Sequence, residues 1–278
     1  MADMFSDLSK FGLGDLNNVD IFAAEHKKQE EAAIAAKQPK QLDEADMLLD
    51  KTYTCPVCDR QFKAKQVKSG KAKLVKVEID LRAKYEGIDM YKYGAILCDN
   101  CGYCALTNYF DSLSDFARGA IKEKISKKYL PSGYNKDIMT YDEAITRHQL
   151  ALVNAVVKNA RASEKAYICL KTSWLISNYI EELLKGEEDN QDRIAKLKEQ
   201  RASYEKNAYE GFVTAMANEG GNICGMDRWT LTYLVAYLAL KSGDRNYAAK
   251  ALSDVLVARD AKESIKDKAR TLKELLTK

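Results

Sequence analysis

The sequence predicts an α+β protein, with a small cysteine-bearing β module followed by a larger all-helical part. Three observations carry this. Two Cys-x-x-Cys pairs stand at Cys55/Cys58 and Cys98/Cys101. Between them, apolar and polar residues alternate with a period of two, the signature of a half-buried strand. After Pro131 the chain contains no proline, and apolar residues recur at helical spacing behind capping residues.

Residues 1–50 read as an N-terminal segment and a charged linker. Phe5, Leu8, Phe11, Leu13, Leu16, Ile21 and Phe22 lie at intervals that would form one apolar face. Such a segment is too short to be a stable helix alone. It is expected to dock on the chain's own helical part or on a partner's. Residues 26–46 are charged and alanine-rich, and bury too little to offset ordering entropy. No basic region followed by an apolar stretch opens the chain, so no secretory signal is expected. Nor does any apolar run reach the roughly 18–20 residues that a membrane span needs. A cytoplasmic protein with no membrane partner is the expectation. Its seven cysteines then point to metal or free thiols, not disulfides.

Residues 51–110 form the predicted β module. "QFKAKQV", "KLVKVEIDL" and "YGAILC" read as strands, with a turn at Ser69-Gly70. In the second, Val75, Val77, Ile79 and Leu81 share one face. Residues 111–278 form the helical domain. Ser114 is predicted to cap a helix reaching about Lys128. Thr140 and Glu143 form a capping box that opens a helix to about Ala160. Ser163 is predicted to cap the next helix, ended by Gly186. Another runs over about Gln191–Asn218 and is broken at Gly220–Asn222. Asp227 opens a helix ended by Gly243, and two more fill the tail.

The cysteine spacing is that of a four-thiolate zinc site. Each Cys-x-x-Cys turn places two thiolates on one side of a tight loop, and two such turns complete a tetrahedron. Gly102 follows the second pair and Asp59 the first, at the place where the backbone turns left-handed around the sulfur. Thirty-nine residues separate Cys58 from Cys98, more than in a common ribbon. A zinc-ribbon-like module with an enlarged hairpin would absorb the excess. Cys104 continues the spacing, but the further cysteine and proline of a ferredoxin run are absent. It reads as a small buried residue, and Cys169 and Cys224 as buried thiols.

No catalytic constellation stands out. The two histidines, His26 and His148, fall in the linker and on a predicted helix, and "GLGDL" lacks the setting of a phosphate loop. A closed four-thiolate zinc is structural, so a non-enzymatic role is expected. The leading reading is an interaction protein whose helical stack holds a protein or peptide partner. The alternative is nucleic-acid binding by a basic hairpin, with Lys63, Lys65, Lys71, Lys73 and Lys76 on phosphates and Tyr85, Tyr91 and Tyr93 stacking on bases. The net charge of only +3 does not by itself favour that alternative.

Most of the chain resembles the uncharacterised bacterial family known as domain of unknown function 2225. The matching stretches are "FSDLSKFGLGDL", "DKTYTCPVCDRQF", "DLRAKYEGIDMYKYGAILCDNCGYCAL", "SEKAYICLKTSWL" and "NICGMDRWTLTYLVAYLALKSGD". The resemblance implies a zinc-ribbon-like part and a tetratricopeptide-like helical part. It places Cys55, Cys58, Cys98 and Cys101 on the family's paired cysteines, and Cys104 where a small residue is expected. Within the helical part, Ala236, Gly243, Ala248, Leu252 and Val255 fit one such unit, and Ala166 and Leu170 the second helix of another. Ala248 lies 82 positions after Ala166, which is no multiple of a repeat of about 34 residues. Two helical hairpins separated by an extra helix are therefore expected.

Overall fold

The computed structural model describes residues 22, 26–28, 43–111, 113–131, 133, 138–186 and 190–276. Phe5, Leu8, Phe11, Leu13, Leu16 and Ile21, with most of the expected linker, lie outside the described residues. The chain divides into two compact units, Met1–Leu42 and Asp43–Lys278. In the first, the His26 backbone N–H donates to the Phe22 carbonyl at 2.8 Å. Every strand and helix named below belongs to the second.

The strands make three antiparallel pairs: β1 (Leu48–Thr54) with β2 (Gln61–Val67), β3 (Leu74–Val77) with β4 (Ala83–Tyr85), and β5 (Ala95–Leu97) with β6 (Cys104–Leu106). The long gap between the cysteine pairs is thus not one enlarged hairpin. It holds β2, a separate β3–β4 hairpin, a short 3-10 helix at Met90–Tyr93, and β5. A turn does follow β2 at Lys68–Lys71, yet β2 pairs back onto β1 and leaves β3 to pair forward.

"KLVKVEIDL" departs most from expectation. The strand stops at Val77 and does not bury one face. Leu74, Val75 and Val77 are exposed, while Asp80 and Arg82 are buried. The cause is a reversal at the hairpin tip. Leu81 takes φ 65°, breaking the period of two and turning the charged residues inward. There Arg82 meets Asp80 and the Glu181 carboxylate, the latter at 2.6 Å, and also bonds Asn178. Lys84 joins the same Glu181 carboxylate. A buried guanidinium is tolerable only with this many acceptors. Tyr233 Oη donates to the Ile79 carbonyl at 2.5 Å, and Lys268 Nζ to those of Val77 and Glu78 at 2.8 and 2.9 Å. The hairpin tip is therefore clasped by three distant parts of the chain.

Seven helices follow among the described residues: α1 (Asp115–Ile121), continued by a π turn at Lys122–Ser126, α2 (Tyr141–Val157), α3 (Ala162–Leu183), α4 (Gln191–Asn218), α5 (Arg228–Lys241), α6 (Arg245–Val257) and α7 (Glu263–Leu276). Consecutive helices from α2 onward pack on one another. The expected caps of α1, α2 and α5 are present. Ser114 Oγ accepts from the Ala117 N–H, the Thr140–Glu143 box closes in both directions, and Asp227 accepts from the Thr230 N–H. Ser163 is different. The chain is already helical at Ala162 and its cap position is Arg161, so Ser163 sits two positions too deep to cap it. Its backbone N–H and its hydroxyl instead donate to the Glu219 carboxylate, at 3.0 and 2.5 Å. That carboxylate stands at the far end of α4 and satisfies the positive end of α3 from outside the segment.

Small residues let α3 and α4 approach. A Cβ on Gly211 would lie 2.8 Å from the Ala166 side chain. Ala236, Ala248, Leu252 and Val255 are all fully buried between α5, α6 and their neighbours. No helix among the described residues is long and apolar enough to cross a membrane.

His148, on α2, is 1% exposed. Its Nδ1 faces the Ala144 carbonyl at 2.8 Å, so Nδ1 carries the proton and donates. Burial, helped by the charge of Lys171, pushes the imidazole pKa down to about 4. The unfolded chain takes up a proton below about 6.5, so the folded state binds fewer protons between these values. Stability from His148 is full above that window and is lost as pH falls through it, by up to about 3 kcal/mol. Urea denaturation across the window should give a steep fall in unfolding free energy for the wild type and a shallower one for His148→Gln. Equal slopes would contradict this.

Candidate metal centre

Each Cys-x-x-Cys pair sits at the tip of a hairpin. Cys55 and Cys58 lie in the β1–β2 connection, Cys98 and Cys101 in the β5–β6 connection. The two tips have the same local build. The Cys55 N–H donates to the Arg60 carbonyl at 3.0 Å, and the Cys98 N–H to that of Tyr103 at 2.8 Å. The Asp59 N–H donates back to the Cys55 carbonyl, and the Gly102 N–H to that of Cys98, both at 2.9 Å. Closing these turns takes a left-handed residue, and Asp59 (φ 59°) and Gly102 (φ 73°) provide it, at the positions their sequence places predicted.

The tips face each other. Cys55 Sγ is 3.6 Å from Cys101 Sγ, Cys58 Sγ is 3.6 Å from Cys98 Sγ, and all four sulfurs lie within 4.8 Å of one another. A tetrahedron with metal–sulfur bonds of about 2.3 Å has sulfur–sulfur edges of about 3.8 Å. The four thiols therefore fit a single metal ion. The contacts recorded at 3.6 Å run between the knuckles and not within them, so each hairpin alone holds only half of the shell. Without a cation the sulfurs compete for protons. Hydrogen bonds from Cys101 and Cys55 hold Cys98 well below the ordinary thiol range, while those from Cys55 and Cys98 hold Cys101 well above it. A bound dication would favour the thiolate at all four.

Neighbouring groups fix the cluster. The Val57 N–H donates to Cys55 Sγ and Asn100 Nδ2 to Cys58 Sγ, each at 3.5 Å, and such donors stabilise thiolate charge. Asn154, on α2, donates to the Gly102 carbonyl at 3.1 Å. Tyr129 covers Gly102 and donates to Asp99 Oδ1 at 2.9 Å. Cys55, Cys98 and Cys101 belong to one buried group with Tyr53, Tyr103, Phe110 and Ile121. The supports from Tyr129 and Asn154 have no local sequence signature; Asn154 lies 52 residues from the carbonyl it holds.

Cys104 is not among the four. It is fully buried on the other face of β6, packed with Ala151, Ala155 and Ile168. Its thiol donates to the Arg147 carbonyl at 3.2 Å, and burial pushes its pKa up to about 12. Cys169 is buried, and Cys224 is half-buried beside the Tyr109 hydroxyl at 3.5 Å. Both stand apart from the cluster.

The residues of the basic-hairpin reading are scattered in role. Tyr91 and Tyr93 are buried. Tyr91 accepts from the Ala83 N–H at 2.9 Å, and Tyr93 donates to Glu44 at 2.7 Å. Lys171 Nζ lies 4.9 Å from the Tyr91 ring centroid and Lys92 Nζ 5.8 Å from that of Tyr93, so neither ring is laid open on the basic hairpin's surface. Lys65 pairs with Asp50 and Lys76 with Glu78, whereas Lys63, Lys71 and Lys73 are exposed.

No curated protein and no solved structure matches the chain. A family model described as an uncharacterized protein conserved in bacteria (DUF2225) matches residues 48–276, from the first residue of β1 to the last of α7. A four-cysteine cluster built between two hairpins is thus a feature of a chain that belongs to the DUF2225 family.

Proposed function

We propose that this is a zinc-binding interaction protein without catalytic activity of its own. The observation that carries the reading is the sulfur cluster. Four thiols and no carboxylate or imidazole make a soft donor set, which suits zinc. Four sulfurs fill a tetrahedron and leave no position for substrate, so Cys55, Cys58, Cys98 and Cys101 would hold a structural ion. When bound, it supplies a crosslink between the two hairpins.

The partner reading is supported by a groove of about 520 Å³ between α4, α5 and α6. Met216, Trp229, Tyr247 and Val257 line it, and Val257 is 79% exposed. The Trp229 indole N–H has no acceptor among the described residues. An apolar groove with one unanswered donor suits a protein or peptide segment whose backbone carbonyl meets the indole. The test is purification of the tagged chain from its native cell, with and without nuclease, against Val257→Asp. A nuclease-resistant set of proteins should accompany the wild type and be lost from the variant, with equal zinc content in both. Identical sets from wild type and variant would reject the groove. Loss of the set on nuclease treatment would favour the exposed lysines and a nucleic-acid partner.

A further inference from the structure

A second cavity, of about 390 Å³, lies where the β3–β4 hairpin, β6, α2 and α3 meet. Its walls are largely aromatic and aliphatic, but it also gathers three polar groups whose bonding is unfinished. Lys171, on α3, points its ammonium at three rings. Nζ lies 4.9 Å from the centroids of Tyr91 and Tyr167 and 4.7 Å from that of Trp174. No carboxylate or carbonyl among the described residues accepts from it. Among the described residues, the buried Trp174 indole N–H has no acceptor and the buried His148 Nε2 has no donor. Nδ1 carries the His148 proton, so Nε2 is a bare acceptor.

The Trp174 indole N–H and His148 Nε2 are costly to leave unanswered. A buried donor or acceptor without a partner costs about 1–3 kcal/mol, and a charge more. Cation–π contact with three rings stabilises the ammonium but satisfies none of its three hydrogen-bond donors. Other cations held inside the fold have carboxylate partners. Arg82 has Asp80 and Glu181, and Lys92 has Glu44 at 2.7 Å. Lys171, half-buried, has no carboxylate partner among the described residues, and it shares one cavity with an orphan donor and an orphan acceptor. Burial pushes its amine down to about 8, which an incoming anion would reverse. Leu81, held at φ 65°, forms part of the rim.

The geometry points to a binding site for a small organic carboxylate in this cavity. Lys171 supplies the positive charge and Trp174 a neutral donor to the carboxylate. His148 Nε2 accepts from a hydroxyl or N–H elsewhere on the ligand. Tyr91, Tyr167 and Leu106 enclose an apolar or aromatic body. A cavity of this size is at the small end for ligand sites, which fits one ring or a branched chain. The site is distinct from the sulfur cluster and from the groove at Trp229. Its failure would leave the zinc and partner readings standing.

The test is calorimetric titration of the full, zinc-loaded chain with para-hydroxybenzoate, phenylacetate and isovalerate, each beside its uncharged amide. At least one acid should bind one-to-one, with its amide at least about tenfold weaker. Lys171→Met removes the charge while keeping length and apolar bulk, and the half-buried, ring-lined site tolerates it. It should weaken the acid about tenfold or more, and Trp174→Phe by several-fold. Zinc content should be unchanged in both. Three outcomes overturn the proposal: no acid bound at ~10 mM, an amide bound as well as its acid, or Lys171→Met binding the acid as the wild type does.

Discussion

If the four cysteines hold zinc as proposed, replacing any one of Cys55, Cys58, Cys98 and Cys101 by serine is expected to abolish zinc binding and unfold the two hairpins. Structural zinc binding is worth about 10–16 kcal/mol in small modules, comparable to the whole stability of a domain. The hairpins are short; β5 and β6 have three residues each. Short strand pairs cannot stand without packing or a crosslink. The damage should also travel. Ala151, Ala155 and Ile168 share a buried group with Ala95, Leu97 and Leu106, and Ile121 packs with the cysteines themselves. Hydrogen exchange should therefore lose protection at 55–58, 95–106 and 147–157, and keep it at 228–257. Cys104→Ser should retain the metal, since its sulfur lies on the opposite face of β6. Full metal content in any of the four variants, or metal loss in Cys104→Ser, would refute the assignment. Elemental analysis reads both.

Gly102→Ala should be the most damaging substitution that leaves all four sulfurs in place. A Cβ there would lie 2.5 Å from Cγ and Cδ2 of Tyr129. The left-handed backbone, φ 73°, adds about 1–2 kcal/mol of strain for a residue with a Cβ. Tyr129 is held by its bond to Asp99 and cannot retreat without exposing the knuckle. A total loss of about 3 kcal/mol is expected. Gly70→Ala is the control. Its φ is 75°, yet nothing lies within 4 Å of the added atom, so it carries the strain without the collision. Its cost should stay near about 1 kcal/mol. Equal costs in the two variants by urea denaturation would show that Tyr129 does not brace the site.

Much of the centre was legible from local chemistry. A Cys-x-x-Cys turn closes within five residues, so its spacing and its following Asp59 or Gly102 report the geometry directly. Helix starts at Ser114, Thr140 and Asp227 were legible for the same reason. A side-chain oxygen reaches an N–H three residues away, and both partners lie in one window of sequence. The apolar spacing behind each cap then implied the helices that follow.

Other features depend on partners that no local window contains. The alternation through "KLVKVEIDL" implied a buried apolar face, but Arg82 finds Glu181 across 99 positions, and this pairing turns the charged residues inward. Ser163 looks like a cap by residue type. The group that caps its helix is Glu219, 56 positions on. Likewise the sulfur pairing across the two hairpins, Asn154 behind Gly102, and the enclosure of Lys171 by Tyr91, Tyr167 and Trp174 arise only when α2 and α3 close over the strands. Residue types and spacing determined which groups could bind a metal or cap a helix. Packing decided which polar groups are buried together and which are left unanswered, because desolvation depends on everything that surrounds a group and not on its neighbours in sequence.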